Sequence, residues 1–161
     1  MASTIVLCTD GSDLALHALT AGLALLRPGD TTVLATVIEP ADPSLVSGVS
    51  GFGGGVMSAE QLQELENARQ AEARDTIDRT ARALGVTGVD GRVLAGDPGH
   101  ELCSLAEDLA ASVLVMGSRG RGGLRRAVLG SVSDHVVRHA PCPVLIANPE
   151  AAADDDAGGD A

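Results

Sequence analysis

Residues 4–26, TIVLCTDGSDLALHALTAGLALL, decide the fold. Thr4 to Thr9 is a run of β-branched and aliphatic residues ended by the turn-forming Asp10-Gly11-Ser12, so it reads as a strand with no polar face. Directly after it, Ala15, Leu19, Leu23 and Leu26 recur at helical spacing until Pro28-Gly29 stops them. A strand apolar on both faces and followed at once by a helix is half of a parallel crossover, whose strands lie under helices on both sides.

The alternation continues outward along the chain. Thr31–Ile38 is a second strand, and Glu39 to Met57 is a loop holding Pro40, Pro43 and the flexible run GVSGFGGG. A capping box, Ser58-x-x-Gln61, opens a helix carrying Leu62, Leu65, Ala73, Ile77, Ala81 and Leu84 before Gly85 ends it. A third strand covers about Val89 to Ala95. Asp97-Pro98 then supplies an N-cap and a first-turn proline for a helix with Leu102, Leu105, Ala106 and Leu109 on its buried stripe. Ser112–Met116 is an apolar fourth strand, Gly117–Leu129 a glycine- and arginine-rich loop, Ser131–His139 a helix and Val144–Ala147 the last strand. The expectation is one α/β domain, residues 1–148, built on a doubly wound five-stranded parallel sheet. The small, acidic residues 149–161 carry nothing for a core and read as a disordered tail. Ligands of such sheets bind at the carboxyl ends of the strands where the winding reverses, which directs attention to Asp10-Gly11-Ser12 and to Gly117–Gly120.

Composition excludes several functions. The 161 residues include one aromatic, Phe52, so base-stacking and proline-reading platforms have no material, and aliphatic packing must build the core. The net charge is −11, and even without the five acids beyond Pro149 it stays at −6, which argues against nucleic-acid binding. All 11 basic residues are Arg, and the absence of Lys removes P-loop and Schiff-base chemistry. Cys8, Cys103 and Cys142 show no CxxC spacing and read as reduced, buried thiols. His17, His100, His135 and His139 share no metal-ligand spacing and read as surface or cap residues. The first residues lack a basic region and a long apolar run, and the greasiest stretch is broken by His17 and Thr20. A cytoplasmic protein with no membrane segment is expected.

After the fourth strand the chain reads MGSRGRGGLRRAVLGSVSDHV, in which Gly117, Gly120 and Gly130-Ser131 stand at the spacing G-x2-G-x9-G-[ST]. Glycines here let the main chain approach a ribose and phosphates, and Gly130-Ser131 places unpaired N–H groups and a hydroxyl at a helix start, where the dipole favours an anion. From Gly117 to Arg138 there are five Arg and one acid, a net of +4 that attracts anionic ligands. The dinucleotide fingerprint GxGxxG is absent after the first strand, where DGS stands instead. The loop closely resembles that of the nucleotide-binding universal stress proteins, and the resemblance extends from Thr4 to Asn148 through DGS, VIEP, GDP and HAPCPVLI, all in order.

That resemblance implies an adenine nucleotide alpha hydrolase-like sheet of order 3-2-1-4-5 and an ATP site. It puts adenine against the main chain of Val37. It puts Asp10, with the main chain of Cys8 and Thr9, near the ribose or a phosphate-bound Mg²⁺. Met116, Gly117, Ser118 and Gly120 would lie along the ribose and α-phosphate, and Gly130, Ser131, Val132 and Ser133 around the outer phosphates. Arg119 and Arg121 would fold over the phosphate tail. Asp10 has a rival role, since Asp before Gly-Ser commonly caps a helix. The resemblance further implies a homodimer through Val144–Ala147 and a regulatory role exerted on an unidentified protein partner. No Glu, Gln or His stands between Gly117 and Ser133 to position a water. Slow Mg²⁺-dependent ATP hydrolysis through Asp10 is therefore the enzymatic alternative, and cyclic-nucleotide binding or a nucleotide-free partner role are the others.

Overall fold

The computed structural model describes residues 3–24, 30–40, 57–118 and 129–147. Among the described residues nine elements alternate: β1 Thr4–Cys8, α1 Asp13–Leu23, β2 Thr31–Ile38, α2 Ala59–Leu84, β3 Asp90–Ala95, α3 Pro98–Asp108, β4 Val113–Gly117, α4 Ser131–His139 and β5 Val144–Ala147. The five strands form one sheet of order β3-β2-β1-β4-β5 with every neighbouring pair parallel. The expected fold and strand order hold. The loop 41–56, the arginine-bearing part of the glycine loop and the tail 149–161 lie outside the described residues.

Local chemistry accounts for where helices begin and end. Ser58 and Gln61 form both halves of the capping box, and Gly85 closes α2 in the left-handed conformation (φ 66°) that glycine adopts without strain. Asp97 accepts the His100 N–H at 2.9 Å, with Pro98 in the first turn of α3. The first helix is shorter than its leucine periodicity suggested: α1 ends at Leu23, and Leu26 lies outside the described residues.

Strand alternation sorts the core into two layers. Ile5, Leu7, Leu34 and Val115 meet Leu19 of α1 and Ile77 of α2 on one face. Val6, Cys8, Val33, Ala35, Leu114 and Met116 meet Leu102, Leu105 and Ala106 of α3 and Val136 of α4 on the other. Leu7, Leu19, Leu34 and Leu114 are fully buried, each worth about 1.5–3 kcal/mol of burial. The three thiols gather on the α3/α4 side. Cys8 is buried, Cys103 and Cys142 are only partly so, all are free, and burial pushes each thiol up from its ordinary value.

Gly22 shows how tightly the α1 layer is packed. A Cβ added there would overlap Cγ1 of Val115, a fully buried β-branched side chain that cannot swing aside. Gly22→Ala should therefore destabilise the fold by about 1–2 kcal/mol, because overpacking outweighs the roughly 1 kcal/mol of helix propensity that alanine adds. A lower urea midpoint at unchanged m-value is the expected reading.

Candidate functional site

The winding reverses between β1 and β4, and there the carboxyl ends of β1, β2 and β4 open into a cleft of about 870 Å³. Of the residues singled out from sequence, Cys8, Thr9, Asp10, Val37, Met116, Gly117, Gly130, Ser131, Val132 and Ser133 all line it. Ser118 is buried at the root of the glycine loop, and Arg119, Gly120 and Arg121 lie outside the described residues.

At the β2 end the sheet offers main-chain groups. Thr9 N–H donates to Ala35 O at 2.9 Å, and Gly96 N–H donates to Ile38 O at 3.1 Å. A residue in a parallel strand turns its N–H and its C=O toward the same neighbour, and successive residues alternate. Ala35 and Val37 thus face β1, while Thr36 and Ile38 face β3. Since β1 ends at Cys8, opposite Ala35, the N–H and C=O of Val37 point past the last rung into the cleft.

The β1 turn is held by short polar side chains. Asp10 Oδ1 accepts both the N–H (3.0 Å) and the hydroxyl (2.6 Å) of Ser12, and Ser12 Oγ accepts Ala15 N–H at 3.1 Å. Ser12 is therefore the N-cap of α1. The rival reading of Asp10 as that cap is corrected: its carboxylate holds the capping residue from two positions earlier, and Asp10 also lines the cleft. Sequence alone did not separate the two because Asp and Ser are equally good caps, one turn residue apart.

At the β4 end, Gly130 is the N-cap of α4 and has no side chain with which to cap it. Helix geometry leaves the first N–H groups of α4 without intrahelical partners, beside the cleft and at the positive end of the dipole. Ser118 O ties this helix start to the end of β4 by accepting Gly130 N–H (2.8 Å) and Ser133 Oγ–H (2.8 Å). The Ser133 hydroxyl also reaches Gly130 O at 3.0 Å and is almost fully buried. It braces the root of the loop, which leaves main-chain N–H as the group this residue offers an anion.

Sequence reasoning missed a fourth wall. Arg69, Glu72, Ala73 and Thr76, spaced as one helical face, line the cleft from α2, and Arg69 Nη1 donates to Glu39 O at 3.2 Å. Their residue types are those of any solvent-facing helix turn, so no sequence signal marks them. Pro98 and Leu102 of α3 also line the cleft. Among the described residues no group of three or more His, Cys, Asp or Glu is placed to hold a metal by itself, and no helix is long and apolar enough to cross a membrane.

The parallel 3-2-1-4-5 sheet is that of the nucleotide alpha hydrolase-like α/β fold. The sequence model of the universal stress protein family matches residues 1–148, and the chain belongs to that family. A universal stress protein of Methanocaldococcus jannaschii is 34% identical over 142 residues, which is 88% of this chain and 79% of that one. One from Bacillus subtilis is 28% identical over 148 residues, 91% of this chain and 99% of its own. Among solved structures, a universal stress protein in complex with cAMP superposes with a TM-score of 0.61 at 28% identity, covering 91% of this chain and 97% of that one. The Lactobacillus plantarum family member has a TM-score of 0.69 at 23% identity over 89% of this chain and 96% of its own, a likeness of fold.

Proposed function

We propose that the cleft binds ATP, with Mg²⁺ carried on its phosphates, and that the chain acts as a nucleotide-dependent regulatory homodimer in the cytoplasm rather than as a dedicated catalyst. The observation that carries this reading is the pairing of two complementary ends in one cleft. The cleft-facing donor and acceptor of Val37 match the edge of a base, and the uncapped start of α4 matches phosphate. The relative solved with cAMP supports adenine plus phosphate as the ligand class. A longer phosphate tail is favoured by the arginines of the glycine loop, Arg119 and Arg121 among them, in a segment of net +4. Mg²⁺ fits as a guest of the nucleotide: it needs one or two carboxylates and completes its shell with phosphate and water, and Asp10 lines the cleft beside the β1 turn.

Denaturing the purified protein and separating the released small molecules by chromatography tests the ligand. ATP or ADP in the supernatant supports the reading; cAMP alone replaces it with cyclic-nucleotide sensing; no nucleotide, together with no heat on titrating MgATP, overturns it.

The dimer is assigned to β5. Leu114 N–H donates to Pro143 O and Ser118 N–H to Ala147 O, so the odd-numbered residues of β5 face β4, and Val144 and Ile146 turn their main-chain groups to the open edge. An edge of this kind is best covered by antiparallel pairing with its twofold mate. Leu145 is unsuited to test it, since its side chain packs into the α1 layer. Ile146→Pro removes an outward N–H without touching the β4 ladder. Light scattering should find the wild type dimeric at micromolar concentration and this variant monomeric; a monomeric wild type would end the assignment.

A further inference from the structure

The main chain of Val37 is open to a ligand only because the β1–β2 ladder stops where it does. Extended by one step, the register that sets Cys8 opposite Ala35 would set Asp10 opposite Val37, and Gly11 N–H would donate to Val37 O just as Thr9 N–H donates to Ala35 O. Gly11 instead turns aside with φ 77° and donates its N–H to Thr9 Oγ1 at 3.1 Å. The Thr9 hydroxyl is buried and lies 3.4 Å from Thr80 Oγ1. Thr80 donates its own proton to Thr76 O at 2.8 Å, which leaves its oxygen as the acceptor in the longer, weaker contact and makes Thr9 the donor. The bonds run in one direction, from Gly11 N–H through the hydroxyls of Thr9 and Thr80 to the carbonyl of Thr76 on α2. Each polarises the next.

We infer that Thr9 is a positioning residue whose hydroxyl takes Gly11 N–H away from the sheet, ends the β1–β2 ladder, and so keeps the main-chain donor and acceptor of Val37 available to select a base. The ligand in this inference rests on the nucleotide reading given above; the hydrogen-bond exchange does not. A methyl in place of the hydroxyl removes the acceptor. Gly11 N–H then has no side-chain acceptor, and one further rung of the β1–β2 register would pair it with the Val37 carbonyl. Threonine at this position acts on base recognition from a distance, and the phosphate end of the cleft, built on α4, is untouched by it.

Two measurements on the full chain test this. In isotope-labelled protein without nucleotide, a through-hydrogen-bond coupling between Gly11 nitrogen and Val37 carbonyl carbon should be absent from wild type and from Thr9→Ser, and present in Thr9→Val. In titrations, Thr9→Val should weaken ATP by about tenfold, the worth of one good hydrogen bond, and leave inorganic tripolyphosphate unchanged, with Thr9→Ser restoring ATP. The coupling in wild type, its absence from Thr9→Val, or an equal loss of ATP and tripolyphosphate would each overturn the inference, as would unchanged ATP affinity in Thr9→Val. A wild type that binds no nucleotide overturns the functional reading instead, and the coupling still decides what Thr9 does to the ladder. Should Thr9→Val fail to fold, Thr9→Ala carries the same comparison.

Discussion

Gly130→Asp should abolish nucleotide binding while leaving the fold as stable as before or slightly more so. The two effects separate because the backbone at Gly130, φ −76° and ψ 166°, is ordinary extended chain that any residue adopts. Aspartate is a better N-cap than glycine by a few tenths of a kcal/mol, and α4 has no side-chain cap to displace. Gly130 N–H keeps its bond to Ser118 O. In the proposed complex the same carboxylate stands where the outer phosphates lie, and like charges about 4 Å apart at an effective dielectric of about 20 repel by roughly 4 kcal/mol, close to a thousandfold in affinity. The readout is ligand-induced stabilisation: wild type with MgATP at about 100 times its Kd should gain about 2.7 kcal/mol, or roughly 5–10 °C in Tm for a chain of this size, and the variant nothing. With neither Trp nor Tyr in the chain, calorimetry or circular dichroism serves better than intrinsic fluorescence. Gly130→Ala separates bulk from charge. A Gly130→Asp protein that still gains the full shift would place the phosphates elsewhere.

The fold was legible because its signals are local and agree with one another. Continuous apolar runs such as Val113–Gly117 admit only a doubly covered strand, and each helix start carries its own cap, whether the Ser58–Gln61 box or Asp97-Pro98. Gly117 and Gly130, picked out by the loop spacing, both line the cleft, while Gly120 lies outside the described residues. The wall from α2 was not legible, since Arg69, Glu72 and Thr76 differ from solvent-facing helix residues only in what the fold sets opposite them. Nor was the division of labour inside the β1 turn. In TDGS Thr9, Asp10 and Ser12 are all capable hydrogen-bonding side chains, and only the structure shows that Ser12 caps α1, Asp10 holds Ser12 and Thr9 takes Gly11 N–H. Ser133 is a similar case: the family resemblance puts it beside the outer phosphates, whereas burial commits its hydroxyl to the carbonyls of Ser118 and Gly130.

Asp10→Asn separates the structural duty of this side chain from its proposed duty toward the ligand. Asparagine keeps an oxygen able to accept both the N–H and the hydroxyl of Ser12, so the turn and the cap of α1 survive, and the folding free energy should stay within about 0.5 kcal/mol of wild type. What the substitution removes is a negative charge and a hard oxygen ligand at the mouth of β1. If the carboxylate helps hold Mg²⁺ on the phosphates, affinity for MgATP should fall by about tenfold or more. Affinity for ATP in EDTA should hold or rise, since the carboxylate no longer repels the bare phosphates. Any slow turnover should vanish with the metal's ligand. Titration calorimetry of both proteins, with Mg²⁺ and with EDTA, reads the double difference directly and is insensitive to a uniform loss of binding from a disturbed turn. Equal affinity of the two proteins for MgATP, with turnover retained, would reduce Asp10 to a brace for Ser12 and leave hydrolysis without a residue to perform it.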